Sequence, residues 1–139
     1  MKELKDFPKF VKKLFYEHNI SHLNLNINKT QAKILMIMDS LDNKTMSEIS
    51  KEVALEKSSF TRSIRHLIEI KYIIKKPSET DQRVLHLLIT EKGNKAIKAI
   101  KEDWDKYFAS IMSSFSPEEK EEFTKAVKII SKYINKITI

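Results

Sequence analysis

Cysteine is absent from the 139 residues, which excludes a disulfide framework and any oxidant sensing by thiol chemistry. One glycine, Gly93, and three prolines stand in the chain, and with a single glycine no phosphate-cradling loop can be built. Aromatic and β-branched residues are too sparse for a large sheet, so the composition predicts mostly helix with short connections. No apolar run is long enough and free enough of charge to span a bilayer, and no signal-peptide layout is present; this predicts a soluble, cytoplasmic protein with no membrane partner. No nucleophile, general base and orienting acid recur at a recognisable spacing, so neither an enzyme nor a cofactor is expected. A chain of this length reads as one domain, large enough to bury a core without disulfides or metal.

Arginine is scarce too. Of 26 basic residues, 23 are lysines and the other three are Arg62, Arg65 and Arg83. With lysine so strongly favoured, each retained arginine marks a place where a flat, two-pronged donor serves and a point charge does not. The net charge is +7, which permits nucleic-acid binding without proving it. Its distribution says more. From Lys57 to Lys76 six cations (Lys57, Arg62, Arg65, Lys71, Lys75, Lys76) face one anion, Glu69, and such a local excess suits a phosphate backbone.

All three arginines lie between Thr45 and Gly93. There the pattern predicts two helices and then a hairpin with a polar, charged tip. In the second helix Phe60, Ile64 and Leu67 fall at i, i+4 and i+7 and share one apolar face. The opposite face carries Ser58, Arg62, Arg65 and Glu69, with His66 beside it, an arrangement that suits a DNA major groove. Ordinary solvation of a polar face accounts for the same pattern.

Three pieces of this stretch carry a resemblance. They are SEISKEVAL, a helix opening KSSFTRSIRHL, and Asp81, Gln82 and Arg83 followed by Leu88, Ile89, Thr90, Glu91, Lys92 and Gly93. The chain resembles the MarR-type winged-helix transcriptional regulators over nearly its whole length, and the D-x-R followed by L-x-T-E-K-G is the specific part. The resemblance implies a mainly α fold with a small β-wing: a winged helix-turn-helix DNA-binding domain over about residues 29–92, flanked by dimerisation helices over about 1–20 and 93–139. It also implies a homodimer, double-stranded DNA as partner, and a repressor acting on a roughly palindromic operator. Ser58, Ser59, Thr61, Arg62 and Arg65 would read or straddle the major groove. Arg83, set by Asp81, would enter the minor groove, and Lys57, Lys75, Lys76 and Gln82 would hold phosphates. Family members respond to small aromatic or phenolic anions, which here would meet Phe15, His18, Met36, Trp104 and Phe108. Where the family usually has glycine in a left-handed helix cap, this chain has Lys71. Where it usually has a small hydroxyl cap, near Glu56, Ser58 would take the role.

Outside this stretch the expectations are structural. A first helix is expected from about Asp6, because Pro8 fits a first turn, to Glu17, with Phe7, Phe10, Val11, Leu14 and Phe15 as its apolar stripe. The asparagine-rich residues 18–28 read as a loop or short turn. His18 and His22 would pair on a metal if they shared a continuous helix, but no nearby carboxylate cluster or cysteine completes a site, so no metal is expected. Asn28 with Gln31, Thr45 with Glu48, and Ser116 with Pro117 and Glu119 are helix starts. The apolar stripes at both ends exceed what a small monomer leaves in water, which predicts burial against a second copy. Two other functions fit the same residues: a winged-helix protein–protein module without an operator, and a metal-responsive regulator.

Overall fold

The computed structural model describes residues 1–16, 18–41, 44–134 and 136–137, the side chains of Phe15 and Tyr16 excepted. In chain order they form α1 (Lys2–Val11), continued by one π-helical turn (Lys12–Tyr16), a short 3₁₀ turn (Ser21–Leu23), α2 (Lys29–Ser40), α3 (Met46–Val53) and α4 (Lys57–Glu69). The hairpin β1 (Ile73–Pro77) and β2 (Leu85–Ile89) follows, then α5 (Glu91–Met112) and α6 (Pro117–Ile134). The chain divides into two compact units, 1–103 and 104–139.

The core of the first unit is assembled from one face of each element. Ile34, Leu35 and Met38 of α2, Ile49 and Val53 of α3, and Phe60, Ile64 and Leu67 of α4 close over Ile73 and Leu87 of the hairpin and Ala96 and Ile97 of α5. The three α4 side chains are almost fully buried, and each burial contributes roughly 1.5–3 kcal/mol. That face fixes the rotation of α4, so Arg62 and Arg65 are left in solvent.

The hairpin is antiparallel, with Ile73 opposite Ile89 and Lys75 opposite Leu87. Alternation along β1 turns Ile73 and Lys75 to one face and Ile74 and Lys76 to the other. A third short piece adds to it. Leu87 N–H donates to the Lys44 carbonyl at 2.8 Å, and Thr45 bridges His86 in antiparallel sense. The sequence offers no periodicity over so few residues, so this pairing is not legible there.

Helix starts follow the expected chemistry with two corrections. Asn28 and Gln31 form a reciprocal capping box on α2, and Ser116 with Glu119 does the same for α6, at 3.2 and 3.0 Å. Thr45 accepts from Glu48 N–H at 3.1 Å and caps α3. At α4 the cap is Glu56 rather than Ser58; the Ser58 hydroxyl instead donates to a Glu56 carboxylate oxygen at 3.0 Å. The second correction concerns α1, which begins at Lys2 and holds Pro8 inside it. Residues 1–10 are all exposed, so the backbone acceptor that Pro8 leaves without a partner meets water. The helical run reaches Tyr16, and Glu17, its expected end, lies outside the described residues.

In the second unit, Trp104 stacks on Phe108 with ring centroids 5.5 Å apart and meets Tyr107 edge-on, and Phe115 packs against Phe123. Helix α6 has no buried residue. Val127, Ile130, Tyr133 and Ile134 on it are each more than 40% exposed.

Candidate nucleic-acid interface

The exit of α4 decides how its polar face is presented. Lys71 N–H donates to the Ile68 carbonyl and Tyr72 N–H to the Leu67 carbonyl, with Lys71 at φ 64°. This is a left-handed helix cap closed by two bonds, made here without glycine. Thr90 and Lys92 of the T-E-K-G segment lock it. The Thr90 hydroxyl donates to the Lys71 carbonyl at 2.6 Å, Lys92 Nζ reaches the Ile70 carbonyl at 3.0 Å, and the same ammonium lies 5.3 Å from the centre of the Tyr72 ring. Thr90 also caps α5, accepting from Gly93 N–H at 3.0 Å. A Cβ at Gly93 would stand 2.2 Å from the Tyr72 carbonyl oxygen, so the close approach of α5 to the α4 exit requires glycine there. The segment that carried the family resemblance is therefore a clamp on α4.

The exposed face of α4 presents Lys57, Ser58, Thr61, Arg62 and Arg65, with Ser59 half-buried beside them. Thr61 donates its hydroxyl to the Lys57 carbonyl at 2.9 Å, which leaves its methyl group and oxygen lone pairs for a ligand. Arg62 reaches Ser59 at 3.4 Å. His66 is turned away from this work: its Nε2 faces the Asn26 carbonyl at 2.8 Å, and since a carbonyl only accepts, that nitrogen carries the proton.

At the hairpin tip Ser78 N–H donates to the Val84 carbonyl and Val84 N–H to the Asp81 carbonyl. Asp81 Oδ1 accepts from Arg83 N–H at 3.0 Å. Asp81 thus fixes the backbone at Arg83, while the guanidinium stays exposed together with Gln82. Among the described residues no ion pair engages Lys57, Arg62, Arg65, Lys75, Lys76 or Arg83. Lys75 and Lys76 leave β1 on opposite faces of the strand, and both are exposed.

The residues expected around an effector fall as follows. The Phe15 side chain lies outside the described residues, Met36 is partly buried on α2, and Trp104 and Phe108 stack on each other. His18 Nε2 is bonded to Asp103 Oδ2 at 2.5 Å and His22 Nε2 to Asp103 Oδ1 at 2.6 Å. The two histidines do not share a continuous helix, and among the described residues no group of three ligating side chains is arranged to hold a metal. Burial pushes the Asp103 carboxyl up, but hydrogen bonds and positive charge from His22 and His18 outweigh it and hold the group below the usual carboxylate range. Asp103 was missed in the sequence because it lies 81 and 85 residues from its partners.

A helix-turn-helix of α3 and α4, with a hairpin wing whose arginine stands at the tip, defines a winged-helix transcriptional regulator of the MarR type. Residues 11–100 match the family described as transcriptional regulator SarA/Rot, and the chain belongs to that family. BilQ, an HTH-type transcriptional regulator of Clostridioides difficile, is 28% identical over 96 residues, 69% of this chain and 65% of its own length; the match thus spans just under two thirds of that relative. A MarR transcriptional regulator from Methanosarcina mazei superposes with a TM-score of 0.79 at 22% identity, covering 96% of this chain and 99% of the other. FabT of Streptococcus pneumoniae, solved in complex with DNA, gives a TM-score of 0.74 at 21% identity and covers 97% and 99%. These relatives are regulators and not enzymes, and among the described residues no helix is long and apolar enough to cross a membrane.

Proposed function

We propose that the protein is a homodimeric, sequence-specific DNA-binding repressor of the cytoplasm that binds a pseudo-palindromic operator. The observation that carries the reading is the set of three exposed guanidinium groups, two on α4 and one at the wing tip, none engaged by a carboxylate among the described residues. Lysine outnumbers arginine heavily elsewhere, and a planar fork is the donor that reads guanine bidentately in the major groove or inserts in a narrow minor groove. The DNA complex of FabT, which shares the fold, supports a duplex as the ligand.

Arg62 and Arg65, with Ser58, Ser59 and Thr61, read base edges; Lys57, Lys75, Lys76 and Gln82 hold phosphates; Arg83, with its backbone set by Asp81, probes an A·T-rich minor groove. The exposed apolar residues Leu4, Phe7 and Phe10 of α1 and Val127, Ile130 and Ile134 of α6 support association with a second copy, which doubles the half-site. A small aromatic or phenolic anion is the effector class the family implies, and its binding would release the operator.

Selection from random duplexes followed by mobility shift tests the reading. Enrichment of an inverted repeat supports it. No enrichment at low salt overturns it in favour of a winged-helix module for an acidic protein partner.

A further inference from the structure

Residues 18–28 form a strap between the end of α1's helical run and the start of α2. Its backbone makes few regular bonds of its own and is held by side chains from elsewhere. The Leu25 carbonyl accepts the Tyr72 hydroxyl at 2.7 Å, and the Asn26 carbonyl accepts His66 Nε2 at 2.8 Å. Asn24 and Asn26 take left-handed conformations, φ 53° and 56°, which asparagine tolerates. Ile20 is buried, and Leu25 and Ile27 pack against the core. At its other end the strap is fastened by His18 and His22 to Asp103. One continuous segment therefore ties α5 to the side of α4, one residue from Arg65 and one turn from Arg62.

We propose that His18, Asp103 and His22 form a proton-sensitive latch that sets how firmly this strap holds the recognition helix, and hence its affinity for DNA. The idea rests on the DNA-binding reading for its output but not for the latch itself. A carboxylate only accepts, so both imidazoles must present N–H at Nε2. A protonated imidazole always does so and adds charge to the bond. A neutral one can move its proton to Nδ1 and turn a lone pair toward the carboxylate. Imidazoles change charge between roughly pH 5 and 8, so the latch tightens on mild acidification and loosens above neutrality. His18 and Asp103 side chains are 10% and 12% exposed, so solvent screens their interaction little; His22 at 56% gives the proton its access. Among the described residues the charged groups bonded to Asp103 are these two imidazoles; of the α5 cations around it in sequence, Lys101 is engaged by Asp39 at 2.6 Å and Lys106 follows three residues later.

Hydrogen exchange of the strap amides, corrected for the intrinsic pH dependence and recorded with a chelator present, tests the latch at about pH 5.5 and about pH 8. In the unaltered protein protection should fall at least about fivefold on going to the higher pH. In Asp103→Asn, where charge assistance is gone, it should be low at both. His22→Gln, at an exposed site that leaves the fold intact, should lose about half of the response in logarithmic terms. Operator affinity measured in parallel should change with pH at least about threefold more in the unaltered protein than in either variant, since His66 and His86 are common to all three. Strap exchange that is flat with pH, or equal in all three proteins, overturns the latch even if the operator is bound. Strap exchange that switches while no duplex is ever selected upholds the latch and sinks the DNA reading instead.

Discussion

Lys71 sits at φ 64°, a conformation that costs a residue with a Cβ about 1–2 kcal/mol. The clamp from Thr90 and Lys92 makes the exit of α4 tolerate it. Lys71→Gly should therefore raise the free energy of unfolding by about 0.5–1 kcal/mol, after the larger unfolded-state entropy of glycine is subtracted; urea denaturation measures it, and a loss of stability would mean that the lysine side chain contributes more than its backbone costs. Gly93→Ala works in the opposite direction. Its Cβ would overlap the Tyr72 carbonyl, backbone that cannot step aside, so a loss of about 1–3 kcal/mol is expected. Arg83→Ala touches no other side chain's partner and should leave stability within about 0.5 kcal/mol, yet weaken operator binding by tenfold or more, about 1.4 kcal/mol. Affinity within twofold of the unaltered protein would contradict the wing assignment. At this scale the sequence was only partly legible. The three arginines announce themselves by their rarity, whereas Asp103 joins His18 and His22 through chain topology, which no local spacing encodes.

Among elements, α6 shows how far local chemistry carries. Ser116, Pro117 and Glu119 announce the start, and both hydrogen bonds of the capping box form there. The Ser116 amide and hydroxyl hold the Glu119 carboxyl below its ordinary range. A lowered carboxyl contributes stability that is present above its unfolded value and lost as pH falls through its folded one. The stability difference between the unaltered protein and Glu119→Gln should therefore be constant at neutral pH and shrink below about pH 4; a difference that grows on acidification would refute the cap. Ser116→Ala should cost about 1 kcal/mol. The apolar face of α4 was equally legible, because burial at helical spacing writes itself into sequence. The start of α1 was not: Pro8 pointed to Asp6, and the helix begins earlier because a solvated helix can leave one carbonyl to water. Nor was the role of the T-E-K-G segment. Its motif is recognisable, but only the placement of Tyr72 against Gly93 shows that it works on the α4 exit.

For the molecule as a whole, the first unit closes a core of its own, whereas α1 and α6 carry apolar side chains into solvent. Burial of those stripes in a second copy is the proposal, and Ile130→Glu with Val127→Glu should shift sedimentation from dimer to monomer; a doubly substituted protein that stays dimeric would place the contact elsewhere. The charge pattern has its own consequence. With exposed cations spread over α4 and the wing in each copy, log affinity should fall steeply with log salt, by about 0.9 per phosphate engaged. One titration tests the three guanidinium groups most directly: operator affinity of the protein and of Arg62→Lys, Arg65→Lys and Arg83→Lys, each of which keeps its charge and loses its fork. Each of the α4 variants should lose discrimination at particular base pairs by about 1–3 kcal/mol while the salt slope holds, and Arg83→Lys should weaken binding to A·T-rich flanks. Three lysine variants that bind the selected duplex as tightly and as selectively as the arginine protein would contradict it.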